Sequence, residues 1–179
     1  LSGRVNKRLV TALLDAGADA LGLSGEDGGL LLAEPEAGGA LGRVGRIVRV
    51  RAALLRDLLA LGLLPVVSPI SRGTDGAPLN VNADDAAAAI AVACHASELL
   101  FLTDVEGVRD GEAACAELTP ARAAALVARG VARDGMGVKL SAALAALDGG
   151  VPVVRIGTLA ILEGDGAGTL LRAAAEARA

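Results

Sequence analysis

Large aromatic side chains are nearly absent from this chain of 179 residues, which has no Trp, no Tyr and one Phe. Proteins that hold single-stranded nucleic acid stack the bases on aromatic rings, so this absence argues against that class. The net charge of −4 at pH 7 likewise leaves no basic excess for a phosphate backbone. We therefore predict no nucleic-acid partner, and a core of Leu, Val, Ile and Ala.

Cysteine, histidine and long apolar runs are scarce as well. Cys94 and Cys115 form no CxxC pair, which favours free thiols in a reducing cytoplasm over a disulfide. His95 is the single histidine, and no Ser/His/acid or metal-ligand set can be assembled around it. We predict a structural role for His95 and no metal site in the protein. No apolar run approaches the roughly 20 residues of a membrane span, so we expect no membrane association.

Helical and strand patterns alternate along the chain. A helix is predicted after Asn82, and others are predicted over residues 5–16, 52–61, 120–129 and 136–148. The first of these has Val5, Leu9, Leu13 and Ala16 on one face. Strands are predicted over residues 18–23, 30–33, 45–50, 63–70, 98–104 and 151–156. Buried strands separated by helices are typical of an α/β fold with an open, mostly parallel sheet covered on both faces.

Small and polar residues follow four of the predicted strands, as Ser24-Gly25, Ser68-Pro69, Thr103-Asp104 and Gly157-Thr158. Ligands of parallel α/β sheets bind at the carboxyl ends of the strands, which predicts one edge lined for a ligand. Turn residues are needed at strand ends in any case, so the pattern alone leaves both interpretations open.

The segment 80–85, Asn-Val-Asn-Ala-Asp-Asp, is predicted to cross from a loop into a helix. Asn82 is placed to cap the helix, and Asp84 and Asp85 then lie at the positive end of the helix dipole. A rigid element would hold the amides of Asn80 and Asn82 and the first acid away from the core. A ligand-binding site and an ordinary capped helix would both show this pattern, so the segment alone leaves both interpretations open.

The segment 134–139, Asp-Gly-Met-Gly-Val-Lys, places glycines around a second helix start, with Lys139 in its first turn. Free backbone N–H groups and a cation would converge there, which indicates an anion site. The alternative is a surface lysine after a flexible loop. A Walker A loop is absent, and the glycines at 164–168 do not make a dinucleotide fingerprint. An acid and a lysine at two helix starts suit phosphoryl transfer, which needs mainly positioning and charge.

Taken together, these motifs resemble those of the acetylglutamate kinases, within the amino acid kinase family. The matching pieces lie in order along nearly the whole chain. They are Gly3-Arg4-Val5-Asn6-Lys7, Gly22-Leu23-Ser24-Gly25-Glu26-Asp27-Gly28, Leu41-Gly42-Arg43-Val44-Gly45, the residues 80–84, Leu102-Thr103-Asp104-Val105-Glu106-Gly107-Val108, and the residues 134–139.

The resemblance implies a three-layer αβα sandwich that transfers the γ-phosphoryl group of ATP to the side-chain carboxylate of N-acetyl-L-glutamate, in arginine biosynthesis. It implies Mg²⁺ carried by the nucleotide, and a homodimer or a hexamer of dimers. By position, Asn80 and Asn82 resemble the residues at the acceptor, Asp84 the acid that orients the catalytic lysines, and Lys139 the lysine that stabilises the moving phosphoryl group. The nucleotide-binding positions that the resemblance implies are Thr103, Asp104, Val105, Gly107, Val108, Arg109, Val131, Asp134, Gly135 and Met136.

The family's opening part has no counterpart in this chain: a strand with a lysine and a Gly-Gly turn, then further glycines and an arginine for the acyl amino acid. The closing segment 155–169 is also short and lacks the family's histidine. Since the chain starts at Leu1 inside a helical pattern, we expect an N-terminally truncated piece. Residues 1–70 would then belong to the acceptor-binding and dimer-forming lobe and residues 71–179 mainly to the nucleotide lobe. Alone, the piece should turn over little or not at all.

Two alternatives remain open at this point. A kinase of the same fold phosphorylates aminoadipate or glutamate attached to a carrier protein, although the residues 80–84 favour a free acetylated substrate. The chain could also be a non-catalytic nucleotide-binding or dimerisation module. Arginine feedback and binding of a regulatory protein do not follow from the sequence.

Overall fold

The computed structural model describes residues 2–36, 40–111, 113–130, 135–164 and 166–173. The chain forms two compact units, Leu1–Cys94 and His95–Ala179. The assignment of an acceptor lobe to residues 1–70 and a nucleotide lobe to residues 71–179 stays a prediction.

The first unit contains three α-helices and six strands in its described residues. In chain order they are α1 (Arg4–Asp15), β1 (Ala20–Ser24), β2 (Leu31–Pro35), β3 (Val44–Val50), α2 (Ala52–Ala60), β4 (Leu64–Ser68), β5 (Ile70–Gly73), β6 (Pro78–Val81) and α3 (Ala83–Cys94). Strands β1 and β4 pair in parallel, with Ser24 opposite Ser68 at their carboxyl ends. Strands β2, β3, β6 and β5 pair in a closed ring that mixes parallel and antiparallel neighbours.

Two predictions about strands in this unit are corrected by the structure. The strand predicted over residues 63–70 is divided: β4 ends at Ser68 and β5 begins at Ile70. Pro69 lies between them, and proline has no N–H for a strand ladder. Asn80 was predicted in a loop and lies instead in β6, where its backbone N–H donates to the Arg43 carbonyl at 2.8 Å.

The core of the first unit lies between the strand ring and helices α2 and α3. Its buried members are Leu30, Leu31, Ala33, Leu55, Leu79, Val81 and Ala86. Helix α1 faces β1 and β4 through Asn6, whose Nδ2 donates to the Val66 carbonyl at 2.8 Å. Its predicted apolar face is largely in solvent, because Val5 and Leu9 are 59% and 51% exposed.

The second unit contains two α-helices and six strands in its described residues. They are β7 (Leu99–Leu102), β8 (Arg109–Asp110), β9 (Ala113–Ala114), β10 (Glu117–Leu118), α4 (Pro120–Ala128), α5 (Gly135–Asp148), β11 (Val153–Gly157) and β12 (Thr169–Arg172). The main sheet has the order β10-β12-β11-β7, with β7 parallel and β12 antiparallel to β11. Strands β8 and β9 form a separate hairpin.

The start of α4 follows the local signals expected from the sequence. Pro120 is the first residue of α4, and the Thr119 hydroxyl caps it by accepting from Arg122 N–H at 3.3 Å. His95 follows α3 with a φ of 55°, the left-handed conformation that ends many helices. Cys94 and Cys115 are free and half-buried. The α/β class with parallel strand pairing is confirmed. Within the described ranges, no helix has the length and apolar character needed to span a membrane.

Candidate active site

The junction of β6 and α3 is built around the side chain of Asn82. Its Oδ1 accepts hydrogen bonds from the backbone N–H groups of Asp84 at 2.8 Å and Asp85 at 3.3 Å. This is the geometry of a helix N-cap, as predicted, and it satisfies two donors that the helix itself leaves unpaired. The Asn82 Oδ1 is therefore used in holding the helix start.

Asn80 lies two residues earlier, on a strand paired on both sides. It is opposite Ile70 of β5 and Val44 of β3. Its neighbours Leu79 and Val81 are buried, whereas Asn80 is exposed, as the alternation of a strand requires. The structure thus presents this amide outward from a fixed backbone, a firmer support than the predicted loop.

Two carboxylates follow the cap in the first turn of α3. Asp84 is half-buried and Asp85 adjoins it. Partial burial raises the pKa of Asp85, and the charges of Asp84 and then Glu36 raise it further. Both acids lie at the positive end of the helix dipole.

The carboxyl ends of β1 and β4 carry a polar cluster that the sequence indicated only as strand-end residues. Asp27 Oδ2 accepts from the backbone N–H of Ser24 at 2.7 Å and from its hydroxyl at 2.9 Å. These two bonds lower the pKa of Asp27, the backbone bond contributing most. Ser68 shares a hydrogen bond of 2.6 Å with Ser2. Sequence reasoning did not assign Asp27 a role, although the Asp-Gly turn was visible.

Lys139 is the fifth residue of α5, one position beyond the predicted first turn. Its Nζ lies 5.9 Å from the centre of the Phe101 ring, and Phe101 is buried in β7. A cation over the face of an aromatic ring is favourable at this range. The contact places the ammonium group beside the strand that leads into Thr103.

The segment from Thr103 to Arg109, which is predicted to bind the nucleotide and is called the nucleotide wall below, begins where β7 ends. Thr103 N–H donates to the Gly157 carbonyl of β11 at 2.9 Å, so two predicted ligand-edge residues are adjacent. The Thr103 hydroxyl donates to Asp104 Oδ1 at 3.3 Å. Asp104 and Val105 are exposed, and Gly107 is buried. The Val108 side chain is fully buried, so this residue can offer a ligand only its backbone.

The remaining nucleotide-binding predictions fall on both sides of a gap in the described residues. Arg109 is exposed on the β8–β9 hairpin. Gly135 and Met136 begin α5, where Gly135 is exposed and Met136 half-buried. Val131 and Asp134 lie outside the described residues. The acceptor candidates and Asp84 thus belong to the first unit, and Lys139 and the nucleotide wall to the second.

Comparisons with known proteins agree with this architecture. The model of the amino acid kinase family matches residues 1–158. An acetylglutamate kinase of Rubrobacter xylanophilus is 50% identical over 177 residues, which cover 96% of this chain and 69% of that protein. Several other curated acetylglutamate kinases are matched over 60% to 66% of their length.

Solved structures show the same fold. The protein smu.665 from Streptococcus mutans UA159 superposes with a TM-score of 0.86 at 26% identity, over 96% of this chain and 68% of that chain. N-acetylglutamate synthase from Neisseria gonorrhoeae, complexed with coenzyme A and N-acetyl-glutamate, gives a TM-score of 0.83 at 28% identity, over 97% of this chain and 42% of that chain. The predicted resemblance and fold are confirmed. The chain belongs to the amino acid kinase family.

Proposed function

We propose that the protein containing this chain transfers the γ-phosphoryl group of ATP to the side-chain carboxylate of N-acetyl-L-glutamate, as a step of arginine biosynthesis. The observation that carries the proposal is the 50% identity to an acetylglutamate kinase over 177 residues. Because this chain spans 60% to 69% of the length of such relatives, the activity is proposed for the whole protein.

In this proposal the acceptor binds at the start of α3. Asn80 presents an exposed amide from β6 and would bind the acetylated amino acid by hydrogen bonds. Asn82 lies close by, and its Oδ1 already caps α3. We assign Asn80 the direct contact and Asn82 a mainly supporting part, through the helix start that it holds in place.

We assign to Lys139 the stabilisation of negative charge on the phosphoryl group that is transferred. A lysine acts on phosphate as a compact point charge, and such charge counts most where negative charge is redistributed in the transition state. The half-buried Asp84 would orient the catalytic lysines by its own charge. Neither residue forms or breaks a covalent bond, since phosphoryl transfer depends chiefly on positioning and electrostatics.

The nucleotide is assigned to the wall from Thr103 to Arg109 together with Gly135 and Met136, and to Val131 and Asp134. Glycines let a backbone approach a phosphate or ribose closely, and Thr103 and Asp104 supply polar side chains at the strand end. Mg²⁺ would arrive with ATP, since this ion keeps much of its shell as phosphate oxygens and water.

Assembly and location are proposed on the same basis. The exposed Val5 and Leu9 of α1 are compatible with a homodimer or a hexamer of dimers, because such side chains are often covered in assemblies. A cytoplasmic location fits the two free cysteines.

The direct test supplies the complete protein with N-acetyl-L-glutamate and MgATP and traps the acyl phosphate with hydroxylamine. We expect hydroxamate formation that depends on both substrates. Asn80→Ala should raise mainly the KM for the acceptor, and Asn80→Asp is the matched variant of equal size. No hydroxamate from the wild-type protein would exclude the free acetylated substrate. A change in the KM for ATP alone would show that the assignment of Asn80 to the acceptor is wrong.

Two other functions stay distinguishable from this one. A kinase for carrier-linked aminoadipate or glutamate would yield hydroxamate only from the carrier-bound substrate. A non-catalytic module is the second, since a chain of the same fold occurs in a protein named N-acetylglutamate synthase, of which this chain covers 42%. The gene sequence upstream of Leu1 separates the module from the kinase. A strand with the phosphate-binding lysine and glycines indicates a kinase, and an unrelated domain indicates the module.

A further inference from the structure

Thr169 opens β12 and is fully buried. Its hydroxyl accepts a hydrogen bond from the backbone N–H of Val108 at 2.8 Å and donates one to the carbonyl of Cys115 at 2.6 Å. Cys115 N–H in turn donates to the Val108 carbonyl at 2.8 Å. One hydroxyl group therefore joins the two ends of the segment that contains the β8–β9 hairpin.

The loop before Val108 packs closely against the same place. A Cβ added to Gly107 would lie 2.6 Å from the Thr169 hydroxyl oxygen. A Cβ added to Gly157 would lie 2.9 Å from Gly168 Cα and 3.2 Å from the Glu106 carbonyl oxygen. Contacts this short leave no space for a side chain, so the wall is seated directly on the ends of β11 and β12.

A second contact holds the hairpin from the side. Arg122 of α4 donates from Nη2 and Nε to Asp110 Oδ2, at 2.7 Å and 3.1 Å. Both bonds join charged groups. Because the Arg122 side chain is 61% exposed, water weakens the contribution of this ion pair. The base of the hairpin is therefore held mainly by Thr169, whose bond from Val108 is buried and whose bond to Cys115 is part-buried.

We propose that Thr169 is a positioning residue for the nucleotide wall. It does not contact the nucleotide. Its hydroxyl sets the position of the Val108 backbone, and with it the adjacent residues from Thr103 to Arg109 that we assign to ATP. The inference rests on the proposed function, since it assigns Thr169 to the support of that same site.

The physical reason is the cost of leaving buried polar groups without partners. Removal of the hydroxyl leaves the buried Val108 N–H without its partner, which costs more than a hydrogen bond lost at a surface, and it also removes the partner of the part-buried Cys115 carbonyl. The base of the hairpin then has to move toward water or another partner, and the wall moves with it. Serine keeps the hydroxyl and loses only a methyl group.

The test compares Thr169→Val with Thr169→Ser in the complete protein. Calorimetric titration with MgATP should give a dissociation constant about tenfold higher for Thr169→Val, and within about twofold of wild type for Thr169→Ser. Thr11→Val is the matched control, because Thr11 is exposed on α1 and its hydroxyl donates to the Lys7 carbonyl at 2.9 Å, within the same helix. The KM for the acceptor should not change in any of the three variants.

Hydrogen exchange supplies a readout that does not depend on the nucleotide. The Val108 amide should exchange faster in Thr169→Val and at the wild-type rate in Thr169→Ser. If Thr169→Val does not fold, Gly107→Ala displaces the same hydroxyl from the other side, and it should weaken MgATP binding and expose the Val108 amide in the same way.

The outcomes separate this inference from the proposed function. A wild-type protein that does not bind MgATP would overturn both. Binding by the wild-type protein with an unchanged affinity in Thr169→Val, or in Gly107→Ala where the first does not fold, would overturn only the role of Thr169. A Thr169→Ser variant as weak as Thr169→Val would also overturn it, since the hydroxyl would then not be the group that matters.

Discussion

Lys139 is one of only two lysines in the chain, which makes its role testable by a matched pair of substitutions. In the complete protein we expect Lys139→Ala to lower kcat by about 10²-fold or more, with a modest change in the KM for ATP. The reason is that a point charge beside the moving phosphoryl group acts mainly in the transition state. Steady-state kinetics measure both constants.

Lys7→Ala is the control for this prediction, because Lys7 is exposed on α1 and donates to the Gly22 carbonyl at 2.9 Å, outside the proposed site. It should leave kcat within about twofold of wild type, since surface substitutions rarely disturb a site they do not touch. An unchanged kcat in Lys139→Ala would remove this lysine from the mechanism.

Asn82 gives a second prediction at the residue scale, one about stability. Asn82→Ala removes the acceptor for the N–H groups of Asp84 and Asp85, and it should lower the free energy of unfolding by about 1 kcal/mol. Asn82→Ser should recover most of this loss, since serine is an equally good cap. Urea unfolding followed by circular dichroism measures both. Equal loss in the two variants would mean that packing, and not capping, is the function of this side chain.

At the scale of elements, the Arg43–Asp75 ion pair links the start of β3 to the turn between β5 and β6. Arg43 donates to Asp75 Oδ2 at 2.7 Å, and the Ala77 N–H donates to Oδ1 at 3.1 Å. The bond from Arg43, followed by that from Ala77, lowers the pKa of Asp75 from 3.8 to about 2. The ionised carboxylate of Asp75 therefore holds the start of β3 to the turn between β5 and β6.

The pH dependence follows from that lowered pKa. A carboxyl group whose pKa is lower in the folded state stabilises the fold above its unfolded pKa and loses this contribution as the pH falls. For Asp75 the loss should occur between about pH 4 and pH 2. We expect the urea midpoint of wild type to fall more steeply over this window than that of Asp75→Asn. Parallel curves for the two proteins would contradict a stabilising role of the pair.

The elements themselves differ in how well the sequence predicted them. Helices α2, α4 and α5 and the hairpin of β2 and β3 lie within one or two residues of their predicted bounds. Their signals are local: caps, glycine stops, proline at a first turn and apolar periodicity. The short strand β6 was missed because its four residues contain a proline and an asparagine, and its pairing with β3 joins residues that are far apart in the chain.

At the scale of the whole molecule, the chain forms two compact units, and each has fully buried leucines. Leu79 lies in the first unit and Leu140 in the second. Leu79→Ala and Leu140→Ala should each cost about 2–5 kcal/mol in the stability of the unit that contains the substitution. We expect hydrogen exchange measured by mass spectrometry to show faster exchange mainly within that unit.

The two substitutions serve as controls for each other, since both remove the same atoms from a fully buried site. Equal acceleration of exchange in both units, whichever leucine is replaced, would show that the chain unfolds as one cooperative body.

The sequence by itself determined what depends on neighbours a few residues apart. The cap by Asn82, the proline start of α4 and the alternation of helices and strands all follow from local backbone and side-chain chemistry. The family motifs could also be recognised in the sequence, because they consist of short contiguous segments.

Only the tertiary structure decided which side chains face the core and which segments support the site. Val108 was predicted at the nucleotide and has its side chain buried, while Val5 and Leu9 were predicted on one helix face and lie in solvent. The bond from Val108 to Thr169 joins residues 61 positions apart. No local pattern encodes such a contact, because it depends on which strand ends the folded sheet places side by side.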